Sequence, residues 1–315
     1  MINADKPYLW EEDIQASVRL YNDWFLEAAP QAYRDIRKST AEEVARAFEY
    51  TRDMTDISPE ALLRSPQALR TLRMCTSPPL ARDRLAGLSY GSKILVGIME
   101  QGKLPQRMMA AELEAQLSRM CDVVTELLDL DLFDWCSTGG PASSRQRELA
   151  TTVVADRLSG AIAEPIIRNA QERRQLTLIG EWLTVRGYKQ KAHRAAAPLE
   201  TMEAGTFSFR QIVVVGDSLS VNIPVDVVIQ PLSPAPHRLP ILVEAKSAGD
   251  FTNPNKRRKE EATKINQLQG KYGPNISLLL FLCGYFNAGY LGYSAAEHLD
   301  WVWEHRIDDL EAAGV

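Results

Sequence analysis

The spacing of apolar residues changes near residue 205, and this change limits the possible folds more than any other feature of the chain. Up to about residue 190, apolar side chains recur every three or four positions, for example in Val18–Phe25 and Leu113–Leu128, which is typical of amphipathic helices. Beyond residue 205, runs rich in β-branched residues indicate strands. We therefore predict a helical N-terminal part and a C-terminal part built around a sheet.

The C-terminal part is predicted to alternate strands with helices. The predicted strands are at about Phe207–Val215, Ile223–Gln230, Leu239–Lys246 and Ser277–Cys283. A long helix at about Pro165–Arg186 is expected before them, a helix at about Pro254–Tyr272 between the last two, and a final helix from Ser294 to about Leu310.

Chain length favours two domains. The chain has 315 residues, and single hydrophobic cores stop growing at roughly 250–300 residues. We place a helical lobe at residues 1–144 and a sheet-containing core at 145–315, with the segment "STGGPASS" at 137–144 as the linker.

Three features argue against broad classes of function. The N-terminal "MINADKPYLW" lacks the pattern of a signal peptide, and the longest apolar run, Leu278–Phe286, is too short to span a bilayer. The four cysteines show no paired spacing that would predict zinc or a disulfide framework. The segment "GLSYGSK" has the wrong spacing for a phosphate-binding P-loop. We expect a cytoplasmic protein with no membrane partner and no nucleotide cofactor.

The net charge of −5 is unevenly distributed. Ser294–Val315 contains six acidic residues and one basic residue, so the rest of the chain is neutral in sum. Within that remainder, Asn253–Lys271 has six basic and two acidic residues. A locally basic surface on an acidic protein is compatible with nucleic-acid binding.

The segment "NIPVDVVIQ" places an acid in the middle of an apolar strand. Strand alternation predicts Val225, Val227 and Ile229 on one face and Asp226 on the other. An unpaired carboxylate in such a strand is costly. A neighbouring cation or a turn amide would satisfy Asp226 in a purely structural role, whereas a catalytic site would use it.

The next strand ends in an acid and a lysine that share one face. Alternation puts Glu244 and Lys246 together, with Val243 and Ala245 on the opposite face. Consecutive strands are usually neighbours in a sheet. Asp226, Glu244 and Lys246 are therefore expected to converge.

Two carboxylates and a lysine in this arrangement suit phosphodiester hydrolysis. The acids can hold Mg²⁺, which prefers oxygen ligands, and Mn²⁺ is the expected substitute. The metal polarises a phosphoryl oxygen, and the lysine stabilises the charge that develops. Acid-x-lysine triplets also occur by chance, so the triplet by itself is weak evidence.

The helix that follows begins with an unusual run of cations. Asn253 is the predicted N-cap and Pro254 the first helical residue. The residues that then point to phosphate contact are Lys256, Arg257, Arg258 and Lys259. Each cation in a first turn costs about 0.3–1 kcal/mol because the helix dipole favours acids there. A solvated charged face explains one or two such cations better than four, so we predict a DNA phosphate near this helix start.

Asp226 followed by Glu244-Ala245-Lys246 resembles the active-site motif of the PD-(D/E)XK nuclease superfamily, and the wider sequence resembles the XamI-type restriction endonucleases. The segments that carry the wider resemblance are "NADKPYLWEEDIQASVRLYNDWF", "SPPLARDRLAGL", "TVVADRLSGAIAEPIIRNAQERRQL", "EAKSAGDFTNPNKRRKEEATK" and "GYFNAGYLGYSAAEHLDWVWEHRIDDL". They cover nearly the whole chain and are far more specific than the triplet.

The resemblance implies an α/β fold whose nuclease core has a mixed central sheet flanked by helices, after a large helical N-terminal lobe. It implies a type II restriction endonuclease that cuts double-stranded DNA at a short specific sequence with Mg²⁺, leaving 5′-phosphate and 3′-hydroxyl ends. A homodimer and a separate companion methyltransferase acting on the same site are also implied. Asp226 and Glu244 correspond to metal ligands, together with the backbone carbonyl of Ala245, and Lys246 to the catalytic lysine.

Further site residues are less constrained by the sequence. Superfamily members often place another acid on the helix before the first strand, and Glu172 is the candidate, with Glu164 next; a salt bridge to an arginine is an alternative for either. Side chains that can read base edges are predicted at Arg82, Arg84, Asn169 and Gln171, and at Asn253 and Asn255 before the basic run. A structural role is the alternative for each of them. The helical lobe is expected to serve recognition, dimerisation or both. A structure-specific repair or resolvase nuclease and a non-cleaving DNA-binding protein remain the alternatives.

Overall fold

The computed structural model describes the chain apart from residues 194–197, 217–219 and 236–237, and apart from the side chains at 253 and 255–258. The chain forms two compact units, one made of Met1–Ala29 with Ile166–Val315 and the other of Pro30–Pro165. Two long helices, α1 (Trp10–Tyr50) and α8 (Ser144–Val185), each contribute to both units.

This division differs from the predicted boundary at residues 144 and 145. The "STGGPASS" segment lies inside the Pro30–Pro165 unit, and the first 29 residues belong with the sheet. The N-terminal segment is held there by hydrogen bonds, because the backbone N–H groups of Asn3 and Ala4 each donate to Asp300 Oδ1 at 3.0 Å. Such a connection between residues almost 300 positions apart has no local sequence signal.

The Pro30–Pro165 unit is helical. Between its parts of α1 and α8 it contains α2 (Pro59–Arg64), α3 (Ala68–Met74), α4 (Arg82–Leu88), α5 (Lys93–Met99), α6 (Ala110–Glu126) and α7 (Asp134–Thr138). Its core is one apolar cluster around fully buried side chains such as Phe48, Leu69, Leu117 and Phe133. None of the described helices has the length and apolar character needed to cross a membrane.

The other unit is built on a mixed sheet. Its strands are β1 (Lys189–Gln190), β2 (Thr206–Val215), β3 (Val221–Gln230), β4 (Ile241–Ala248), β5 (Ser277–Gly284) and β6 (Asp300–Trp303), in the spatial order β1-β2-β3-β4-β5-β6. The β2–β3 and β3–β4 pairs are antiparallel, whereas the β1–β2, β4–β5 and β5–β6 pairs are parallel. The remaining helices are α9 (Thr252–Tyr272) and α10 (Ala288–Ala296). This mixed sheet with helices confirms the predicted α/β fold class.

Helices pack on both faces of the sheet. One face is covered by α8, whose Ile179 and Leu183 share a buried cluster with Val227 and Val243. The other face is covered by α9, whose Leu268 packs in a cluster with Leu242. The strands are therefore apolar on both faces, as buried strands require.

Two local predictions in this unit are wrong. The final helix predicted from Ser294 to about Leu310 is instead the end of α10, the strand β6 and a 3₁₀ helix at Glu304–Ala313. The helix predicted to begin after an Asn253 N-cap begins at Thr252, with Phe251 at the N-cap position. The Thr252 N–H is satisfied by Asp250 Oδ1 at 2.7 Å, so an earlier acid takes the capping role.

Candidate active site

The β3–β4 hairpin places Asp226 beside Glu244. The paired residues of the two strands run from Ile229↔Ile241 to Val227↔Val243, and Asp226 and Glu244 are the next residue of each strand. The carboxylate of Asp226 accepts a hydrogen bond from the Ala245 N–H at 2.8 Å. Asp226 is therefore tied directly to the acid-x-lysine segment of the neighbouring strand.

The strand alternation predicted around Asp226 is wrong for one residue. Val227 packs in the cluster on the α8 face, whereas Val225 packs with the residues of the α9 face. The ladder between β2 and β3 skips the position where Arg210 stands opposite Asp226, and Arg210 has a left-handed φ of 51°. This interruption lets the outer part of the hairpin turn, so the buried face changes at Asp226.

Lys246 lies between two carboxylates. Its Nζ is 3.2 Å from Glu244 Oε1 and 3.3 Å from Glu261 Oε1 on α9. The other oxygen of Glu244 contacts the ammonium of Lys264, also on α9. The prediction that Glu244 and Lys246 share a face, opposite Val243 and Ala245, is confirmed by these contacts and by the packing of Val243 and Ala245 on the α8 face.

Burial and the proximity of these charges shift two pKa values. The pKa of Asp226 is raised to about 6, first by burial and then by the negative charge of Glu244, which together outweigh the lowering by the Ala245 hydrogen bond and by Lys246. Burial by itself lowers the pKa of Lys246, but the carboxylates of Glu244 and Glu261 outweigh burial and leave that pKa above its ordinary value. The site thus holds a charged lysine and an acid that repels its neighbour.

A cleft opens beside this cluster, with a volume of about 510 Å³. Its walls come from the start of β3, from β4 and from α9; the charged residues among them are Glu244, Lys246, Lys259, Glu260, Glu261 and Lys264. The cleft therefore gives a ligand access to the carboxylate and lysine side chains.

The residues present fit a divalent cation of the Mg²⁺ type. Two carboxylates close enough to raise the pKa of one of them would be relieved by a cation between them. Mg²⁺ keeps several waters and is commonly held by one or two carboxylates, so Asp226, Glu244 and the Ala245 carbonyl form an adequate donor set. Within the described residues, no group of three or more His, Cys, Asp or Glu is arranged to hold a metal.

Glu172, the candidate additional acid, lies near this cluster. Its carboxylate pairs with Arg210 at 3.0 Å. Its charge adds to the raised pKa of Asp226, after burial and the larger effect of Glu244. The arginine salt bridge that sequence analysis offered as the alternative is therefore formed, close to the site.

The predicted DNA-contacting residues have different surroundings. Asn169, Arg84 and Lys259 are exposed, whereas Gln171 is 1% exposed and cannot offer its amide to DNA. Arg82 pairs with the buried Glu100. The side chains of Asn253, Asn255, Lys256, Arg257 and Arg258 lie outside the described residues.

Sequence reasoning missed two residues of the cluster, Glu261 and Lys264. The side chain of Glu261 is 4% exposed and that of Lys264 is 14% exposed, and both contact the β4 pair. Their spacing of three places them on one face of a helix. That spacing is the signal that could have indicated them, but it does not tell which face of α9 meets the sheet.

A mixed sheet with two acids and a lysine at the junction of β3 and β4 is consistent with a nuclease core. The chain belongs to the XamI restriction endonuclease family, whose model matches residues 52–303. This confirms the family resemblance seen in the sequence.

Comparison with individual proteins gives one strong similarity and one weak one. The chain is 70% identical over 314 residues to the protein named Type II restriction enzyme SalI from Streptomyces albus G, covering 100% of both chains. Among solved structures, protein VC1899 from Vibrio cholerae aligns with 90% of this chain at 12% identity and a TM-score of 0.27, and the chain spans 55% of that protein's length. A similarity that low supports no argument about this protein.

Proposed function

We propose that this protein is a type II restriction endonuclease that hydrolyses double-stranded DNA at a short specific sequence and leaves 5′-phosphate and 3′-hydroxyl ends. The observation that carries the proposal is the convergence of Asp226, Glu244 and Lys246 beside an open cleft that Glu244 and Lys246 line, in a chain of the XamI restriction endonuclease family. The full-length similarity to a type II restriction enzyme supports the same activity.

Each residue of the cluster has a chemical role in this proposal. Asp226, Glu244 and the Ala245 carbonyl would hold Mg²⁺, or Mn²⁺ in its place, and the ion would supply a Lewis acid that polarises a phosphoryl oxygen. Lys246 carries its positive charge into the cleft, where it stabilises negative charge that develops on the phosphate. Glu172 lies close enough for its negative charge to contribute to the raised pKa of Asp226 and to favour a cation at this cluster.

DNA is proposed to lie along the cleft and the start of α9. Lys259 is exposed on the cleft wall, and in the sequence it ends the basic run that begins at Lys256. Asn253 and Asn255 stand at the same helix start. Arg84 and Asn169 are exposed and remain proposed readers of base edges.

The proposed cleavage of DNA at a short specific sequence has consequences for the partners of this protein. Palindromic sites are matched by two-fold symmetric proteins, so we propose a homodimer, with the helical lobe contributing to recognition, dimerisation or both. Cleavage of a short sequence would also damage the host genome, so a separate methyltransferase that modifies the same site is proposed.

The test is digestion of a sequenced plasmid with Mg²⁺, followed by sequencing of the fragment ends. We expect discrete bands and one recurring sequence at the ends. Cleavage of branched DNA with intact plasmid left uncut would identify a structure-specific nuclease instead. Salt-sensitive binding with no cleavage would identify a DNA-binding protein without hydrolytic activity.

A further inference from the structure

Both oxygens of Glu244 are in contact with lysine ammonium groups. Oε1 is 3.2 Å from Lys246 Nζ, and Oε2 contacts Lys264 Nζ. The Glu244 side chain is 12% exposed, so little water competes for these contacts. A carboxylate in this state must give up one ammonium before it can bind a divalent cation, because cations within a few ångströms of each other repel.

The two lysines differ in what they contact besides Glu244. Lys246 has a second acceptor in Glu261 Oε1, at 3.3 Å. The other oxygen of Glu261 is buried and has no hydrogen-bond partner among the described residues. Lys246 can therefore keep a carboxylate partner, and gain the free oxygen of Glu261, if Glu244 turns away from it.

Lys264 has no such second acceptor in the described part of the chain, where its ammonium contacts Glu244 alone. It also lines the cleft. When Glu244 binds another cation, Lys264 is the lysine that loses its partner, and its ammonium then lies at the wall where DNA phosphate is proposed to pass.

We propose that Lys264 is a placeholder cation. Its ammonium neutralises Glu244 while the cleft is empty, is displaced when Glu244 takes up a divalent cation, and then contacts a DNA phosphate. Glu261 is the positioning residue that keeps Lys246 in place during this exchange. The inference rests on the proposed function, because it assumes that Glu244 is a metal ligand.

The exchange predicts opposite effects of one substitution on two measurements. Lys264→Met keeps the length of the side chain and removes its charge, so Mn²⁺ no longer competes with an ammonium. In isothermal titration calorimetry without DNA, we expect Mn²⁺ to bind this variant about 5-fold more tightly, the factor that corresponds to an ion pair of modest strength. The same variant is expected to cleave DNA more slowly than wild type at limiting DNA and saturating Mg²⁺, because one phosphate contact is lost.

Two further variants serve as controls for the calorimetry. Lys264→Arg keeps a competing cation, and its Mn²⁺ affinity should stay close to that of wild type. Lys191→Met removes the ammonium from another lysine–glutamate pair, in which both side chains are at least half exposed, and should leave the affinity unchanged. Unfolding midpoints measured by circular dichroism would show that each variant is folded.

The outcomes separate this inference from the function on which it rests. If wild type binds Mn²⁺ and Lys264→Met binds no more tightly, the placeholder role is rejected and the metal site stands. If neither protein binds Mn²⁺, and Asp226→Asn behaves like them, the proposed metal site is rejected and the placeholder role with it.

Discussion

Each unit of the protein contains an acid held between two cations, and the two arrangements differ in the exposure of the acid and in the kind of cation. In the helical unit, Glu100 accepts a hydrogen bond from Arg73 Nε at 2.6 Å and pairs with Arg82. Its side chain is 1% exposed, against 12% for Glu244, which lies between two lysines at the edge of a cleft.

The choice of cation matches the difference in surroundings. Arginine presents several donors in a rigid fork, and Arg73 uses its fork on Glu100 and on the Leu80 carbonyl together, which joins three parts of the helical unit. Lysine offers a compact charge on a flexible stem, which can change partners. The arginines suit a Glu100 cluster that stays closed, whereas the lysines suit the exchange of ions proposed for the Glu244 cluster.

The largest expected effect is on catalysis at the Glu244 cluster. Lys246→Ala removes the charge that faces the cleft, and we expect the cleavage rate to fall by about 10²–10³-fold. The measurement is single-turnover cleavage of plasmid DNA with Mg²⁺. Lys191→Ala, a change at an exposed lysine outside the cluster, should cleave at the wild-type rate. A Lys246→Ala protein that matched wild type would remove Lys246 from the active site.

A substitution in the Glu100 cluster should lower the stability of the protein. Glu100→Gln leaves Arg73 and Arg82 facing each other without a counter-charge, so we expect the free energy of unfolding to fall by about 3 kcal/mol. Urea denaturation measures this loss, and the exposed Glu126→Gln in the same unit should change stability by less than about 0.5 kcal/mol. Equal effects of the two substitutions would show that the Glu100 cluster does not hold the helices together.

The raised pKa of Asp226 predicts a pH-dependent stability in protein freed of metal with EDTA. The folded state holds the Asp226 proton more tightly than the unfolded chain, so the stability from this group is complete below its ordinary pKa of 3.8 and is lost as pH rises through about 6. Asp226→Asn should therefore be more stable than wild type at pH 7, by roughly 1–2 kcal/mol.

Thermal unfolding between pH 4 and 7.5 tests this prediction, because the advantage of Asp226→Asn should shrink as the pH falls. A constant difference across this range would contradict the assignment of the pH dependence to Asp226.

The smallest expected effect is on stability, when Arg82 at the exposed edge of the Glu100 cluster is replaced. The Arg82 side chain is 56% exposed, and Arg73 remains on Glu100 when Arg82 is removed. Arg82→Met should lower stability by about 0.5–1 kcal/mol. The slope of DNA affinity against salt concentration should stay at the wild-type value if Arg82 serves Glu100. A slope whose magnitude is reduced by about 1 would instead support the predicted contact of Arg82 with DNA.

The proposed catalytic cluster could be predicted in part from sequence because two of its members are close together in the chain. Glu244 and Lys246 are two residues apart on an apolar strand, and strand geometry puts them on one face whatever surrounds the strand. Asp226 required one further step, the expectation that consecutive strands pair. Glu261 and Lys264 could not be found in this way, because only the packing of α9 decides which of its faces meets the sheet.

Prediction from the local sequence pattern also failed where the same residues are compatible with both a helix and a strand. The segment around Asp300–Trp303 was predicted as helix, but it forms the edge strand β6, since a parallel neighbour in β5 offers it a ladder. The face change at Asp226 likewise depends on Arg210, sixteen residues away in sequence, which stands opposite it in the adjacent strand.

The sequence alone determined the fold class and the family and nominated two acids and a lysine for the site, because periodicity, short spacing and long similar segments can be read directly along the chain. The tertiary structure decided which charges meet: that Lys246 lies between Glu244 and Glu261, that Lys264 occupies the second oxygen of Glu244, and that Arg82 pairs with Glu100. Such contacts depend on the relative position of separate elements, and that position is set by burial of apolar surface over the whole unit.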